Sequence, residues 1–84
     1  MPDRPVPRFL TLADVADVLA ISPSQAYALV RNGEVRGIKV GGRGQWRVES
    51  TELERYIAQA YDATEQYVRE HPFTGAAEAA GPIA

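Results

Sequence analysis

Arg31, Arg36, Lys39, Arg43 and Arg47 fall within one short stretch and are opposed there by Glu34 alone. Side chains of that type and density bind anions by charge, and polyanions above all. The chain as a whole carries a net charge of −2, which taken alone would argue against a nucleic-acid partner. The distribution reverses that impression. The acidic excess lies in residues 56–84, where Asp62, Glu65, Glu70 and Glu78 outnumber Arg69. Other chemistries lack their parts. There is no cysteine, and the single histidine, His71, stands beside Pro72 with no carboxylate or serine at useful spacing. His71 therefore reads as structural or idle. Gly41, Gly42 and Gly44 suggest a phosphate-cradling loop, but no Gly-Lys-Ser/Thr follows them, which rejects a nucleotide site. The expectation is a non-enzyme with no metal and no cofactor.

Eighty-four residues allow one small domain with a modest core. The lack of cysteine fits a reducing compartment. No apolar run approaches the roughly 20 residues that span a bilayer, and the N-terminus lacks the apolar segment of a signal peptide. A cytoplasmic protein is expected.

The elements that must position the basic residues follow from capping and periodicity. Residues 1–8 contain Pro2, Pro5 and Pro7 and read as a flexible arm. Arg4 and Arg8 there are more simply solvated than bound to a polyanion. Thr11-x-x-Asp14 has the spacing of a capping box, and Leu10 can staple onto Val15. Leu12, Val15, Ala16 and Leu19 then form one helical stripe. Only Ala20-Ile21 separate that helix from Ser22, which caps a second helix with Pro23 at its first position and Gln25 completing another box. Ala26, Leu29 and Val30 share the buried side of this second helix, and Ser24, Ala28 and Arg31 the outer side, with Tyr27 at its edge. Gly33 supplies the left-handed stop. Two short helices joined this tightly predict a helix-turn-helix.

Beyond Gly33 the period changes to two. Ile38 and Val40 alternate with Lys39, Trp46 and Val48 alternate with Arg47, and the glycines between them make a turn. Placing all four apolar residues on one face predicts Ile38 opposite Val48, Lys39 opposite Arg47 and Val40 opposite Trp46. Ser50 is the expected cap of a third helix reaching about Glu70. Its stripe is Leu53, Tyr56, Ile57, Ala60, Tyr61, Thr64, Tyr67 and Val68. The expected division is therefore an arm at 1–8, a domain at 9–70 and a disordered tail at 71–84.

Three features favour DNA as the partner: the tight helix pair, the apposed Lys39 and Arg47, and Arg43 on a turn of small residues. Like charges across a strand pair are destabilising, and a phosphate backbone would relieve them. Plainer readings stand beside these. Tyr27 also suits a rim aromatic, Arg31 the end of a helix dipole, Lys39 and Arg47 ordinary solvated positions, and Trp46 the core.

The ordered set Leu12-x-x-x-Val15-Ala16-x-x-Leu19-x-Ile21-Ser22, Ala26-Tyr27-x-Leu29-Val30-Arg31-x-Gly33-Glu34-Val35, Ile38-x-Val40-Gly41-Gly42-Arg43, Trp46-Arg47-Val48 and Leu53-x-x-Tyr56-Ile57 resembles the DNA-binding module of the MerR and excisionase superfamily. The resemblance covers about residues 10–58. It implies an α+β winged helix-turn-helix of order α-α-β-β-α, with a recognition helix at 23–32 in the major groove and a wing at 38–48 on backbone or minor groove. By that resemblance Ser24, Gln25, Tyr27, Ala28, Arg31, Arg43 and Arg47 would face double-stranded DNA, joined through its charge by Lys39. The chain departs from the family where Ser24 and Ala28 replace outward arginines and where Gly44-Gln45 follows Arg43 in place of further basic residues. Base-specific readout should then be poorly supplied.

Neither a small-molecule effector domain nor a long dimerising coiled coil is apparent, so the excisionase-like branch fits best. It implies a small transcriptional regulator or a recombination factor binding cooperatively side by side. The rival expectation is a protein-interaction module that docks a second protomer or another protein on Tyr61, Tyr67 and Val68. If instead the third helix folds back over Phe9 and Trp46, it closes its own core.

Overall fold

The computed structural model describes residues 7–74. The expected arm and tail therefore lie, for residues 1–6 and 75–84, outside the described residues. The order is β1 (Phe9–Leu10), α1 (Leu12–Leu19), α2 (Pro23–Arg31), β2 (Ile38–Val40), β3 (Gln45–Glu49) and α3 (Ser50–Glu70). This is an α+β winged helix-turn-helix with one element more than the sequence announced. The added strand β1 pairs antiparallel with β3, giving a sheet of order β1-β3-β2.

Local chemistry sets the helix pair. At the start of α1 the Asp14 amide donates to Thr11 Oγ1 and the Thr11 amide to Asp14 Oδ2, both at 3.0 Å. At the start of α2 the Gln25 amide donates to Ser22 Oγ at 3.1 Å and the Ser22 amide to Gln25 Oε1 at 2.9 Å. Both boxes satisfy amides that a helix start leaves without partners. Each helix ends in a left-handed residue. Gly33 ends α2 at φ 79, where the Gly33 and Glu34 amides reach the Val30 and Leu29 carbonyls. Ala20 ends α1 at φ 57, where the Ala20 and Ile21 amides reach Asp17 and Ala16. This double closure is the Schellman arrangement.

Leu10, Val15, Ala16, Ala26, Val30, Val35, Val48 and Leu53 form the buried core, with Leu12, Leu19, Ile21, Leu29, Trp46, Tyr56 and Ile57 packed around it. Ser50 does not cap α3. The cap position is Glu49, which makes no side-chain cap bond. The Ser50 amide is instead satisfied by the carbonyl of Arg8, the residue just before β1, at 2.7 Å. Nor does α3 fold back: Tyr61 is 67% exposed, and Tyr67, Val68 and Phe73 are exposed too. No described helix is long and apolar enough to cross a membrane.

The hairpin register differs from the expected one by a single residue. Ile38 pairs with Arg47, Lys39 with Trp46 and Val40 with Gln45. Ile38 and Val40 thus turn outward, each 47% exposed, on the same side as Arg47 and Gln45. The physical reason is Gly37. A Cβ there would lie 3.1 Å from Val30 Cγ1 and 3.2 Å from the Arg47 carbonyl oxygen, so the inward position next to α2 admits no side chain. Residue 39 is consequently the next on that side of the hairpin, where Lys39 stays exposed opposite Trp46.

Candidate nucleic-acid interface

The outer side of α2 carries Ser24, Tyr27, Ala28 and Arg31, all exposed, above the buried Ala26 and Val30. One turn of helix separates Tyr27 from Arg31, so their side chains meet. Arg31 Nη1 donates to Tyr27 Oη at 2.9 Å, and the guanidinium lies 5.7 Å from the centre of the Tyr27 ring. Gln25 spends its Oε1 on the cap of its own helix but remains exposed. Gln25 and Ala28 also line an open groove of about 630 Å³ between α2 and α3, floored by Leu19, Ile21, Leu29, Tyr56 and Ile57. The eight expected residues therefore do not form one uniform face. Tyr27 and Arg31 form a bonded pair on the outer side of α2, whereas Gln25 and Ala28 border α3.

The wing abuts α2 directly. Trp46 Cε3 and Val30 Cγ1 both lie within 3.6 Å of the Cβ position at Gly37, one residue from Arg31. On the inner side of the wing Lys39 Nζ sits 5.5 Å from the centre of the Trp46 ring, within the range of a cation–π contact. Lys39 and Arg47 are thus not cross-strand neighbours, and the repulsion expected between them does not exist. Arg47 points to the opposite side of the strand, half-buried, with Nη1 donating to the Trp46 carbonyl at 2.7 Å and Nη2 to Gln45 Oε1 at 3.1 Å. Arg43 is exposed on the four-residue turn 41–44, which the Gly44 amide closes onto the Gly41 carbonyl at 3.0 Å. Gly41 and Gly44 take φ 82 and 64 there.

Carboxylates divide the cations. Arg36 turns to Glu52 at 3.9 Å, a carboxylate shared with Arg55 at 3.4 Å, and Arg8 pairs with Glu49 at 3.0 Å. Among the described residues, Arg31, Lys39, Arg43 and Arg47 have no carboxylate within 4.0 Å. Trp46 and Gln45, which support Lys39 and Arg47, were absent from the site expected from sequence. The aromatic–basic alternation at 46–47 was the available signal, but the shifted register concealed which cation each supports.

A family model described as a helix-turn-helix domain matches residues 9–61. The chain belongs to this family. The match spans β1 to the middle of α3, including the Tyr27–Arg31 pair and the whole wing, and it makes the chain a carrier of a DNA-binding type of domain. No curated protein and no solved structure gives a significant match.

Proposed function

We propose that this helix-turn-helix protein binds double-stranded DNA with a sequence preference, with α2 in the major groove and the β2–β3 wing on backbone or minor groove. It would act as a small transcriptional regulator or an excisionase-type architectural factor of the MerR-like class. The carrying observation is that the outer side of α2 and the abutting wing present Arg31, Lys39, Arg43 and Arg47 without carboxylate partners among the described residues. Each phosphate neutralised releases condensed counterions. With about three to four such contacts per protomer, log K should fall against log[salt] with a slope of about −2.7 to −3.6. Fluorescence anisotropy on a duplex across a salt series reads that slope directly. A flat response, or no binding at low salt, removes the proposal.

A second reading concerns α3 and is favoured by the exposure of Tyr61, Tyr67 and Val68. These continue the apolar stripe that begins at Ile57 in the groove. The stripe offers that apolar surface to a second copy of this chain or to another protein.

A further inference from the structure

We infer that Arg31 reads a guanine through a bidentate hydrogen bond and that Tyr27 is the positioning residue that holds it for this task. The inference rests on the DNA reading above and assigns its specificity to one side chain. The guanidinium is a rigid plane whose donors form forks along its edges, and the edge made by Nε and Nη2 matches the O6 and N7 acceptors of guanine. Tyr27 Oη takes the hydrogen bond from Nη1, at 2.9 Å, while the Tyr27 ring lies beneath the guanidinium at 5.7 Å from its centre. Tyr27 thus occupies the nitrogen outside that edge and leaves the fork free. It also reduces the rotamer freedom that Arg31 would otherwise lose on meeting a base, since a pre-organised donor gives up less on binding.

The other three cations are differently equipped. Arg47 commits Nη1 to the Trp46 carbonyl and Nη2 to Gln45 Oε1, so its fork is spent within the wing. Lys39 sits over Trp46 as a point charge and has no fork. Arg43 is exposed on the glycine turn and makes no side-chain hydrogen bond with the described residues. Arg31 alone is both held and open along its bidentate edge. It also stands on the helix that a helix-turn-helix inserts in the major groove, where the guanine acceptors are displayed. The three wing cations are then suited to phosphates, which position a protein without reading sequence.

The test begins with the full chain and a pool of randomised 20-base-pair duplexes, from which bound fragments are selected and sequenced. The wild type should recover a motif containing one strongly preferred G·C pair. Replacing that guanine by 7-deazaguanine, which lacks the N7 acceptor, should weaken wild-type binding about 5- to 150-fold. R31K keeps the charge but not the fork. It should lose the preference at that pair and become indifferent to 7-deazaguanine, with its salt slope retained. Y27F keeps the ring but not the hydroxyl. It should lose part of the same preference at an unchanged salt slope, a pattern that simple loss of structure would not give. R31A should likewise lose the preference while its salt slope stays near the wild-type value, because the lost contact is to a base and not to a phosphate. Retention of the preference by R31K, or full retention by Y27F, overturns the inference. Wild-type binding without any preferred G·C pair overturns it too, yet leaves DNA binding intact. Absence of wild-type binding at low salt removes the DNA reading itself.

Discussion

Ala20 holds a left-handed backbone, φ 57, that the other tight positions give to glycine. A Cβ in that region costs about 1–2 kcal/mol against the following carbonyl. The turn between α1 and α2 tolerates this because the Ala20 and Ile21 amides are both satisfied by α1 carbonyls. A20G should therefore stabilise the domain by about 0.5–1 kcal/mol, the relieved strain exceeding the entropy that glycine adds to the unfolded chain. For a domain of this size Tm should rise by roughly 2–8 °C in a melt followed by circular dichroism. A lower Tm would show that the alanine is not strained there. Gly33 presents the opposite case. It already occupies the same kind of position at φ 79, and G33A should cost about 1 kcal/mol with no steric clash to blame, since nothing lies within 4 Å of its added Cβ.

Among the elements, the helices were legible and the hairpin register was not. Thr11 with Asp14 and Ser22 with Gln25 act within one turn of chain, so spacing alone defines both starts. The register depends instead on Gly37, whose contribution is the side chain it lacks. An alternation of apolar residues cannot reveal a position reserved for Val30 and Trp46. The same limit hid β1, since two residues carry no periodicity and their pairing partner lies about forty residues away. At the candidate site, the identities of Tyr27 and Arg31 were evident from the helical wheel. Their hydrogen bond, and the assignment of Trp46 to Lys39 and Gln45 to Arg47, needed three dimensions. G37A tests the register. Its Cβ would crowd both α2 and β3, at a cost of about 1–3 kcal/mol, with a change in Trp46 fluorescence because the indole lies 3.6 Å from the new methyl. An unperturbed spectrum and unchanged stability would contradict the observed pairing.

For the molecule as a whole, the radius of gyration is 15.8 Å, against roughly 12 Å for a compact chain of this length. The principal extents of 51 × 33 × 19 Å show that the excess is directional. It is consistent with α3, whose residues from Tyr61 onward are exposed on every side. A free helical end of that length is marginal in water, and burying its apolar stripe against a second copy would stabilise it. Light scattering on the full chain at tens of micromolar should then give twice the monomer mass, and removal of residues 61–84 should return the monomer. A full-length monomer mass at those concentrations would end this reading.

β3 ends at Glu49 and α3 begins at Ser50, with no residue between them and with the Arg8 carbonyl fastening the joint. The wing and the long helix therefore form one lever without slack. At 1.5 Å per residue the arm of α3 is about 31 Å long, so a tilt of about 10° at the wing base displaces the far end by roughly 5 Å. Whatever settles the wing on its support thereby also aims Tyr67 and Val68. Two glycines inserted between Glu49 and Ser50 would sever that mechanical link while sparing the surfaces at either end. In distance measurements between spin labels on the wing tip and near Glu70, the narrow distribution of the native chain should broaden.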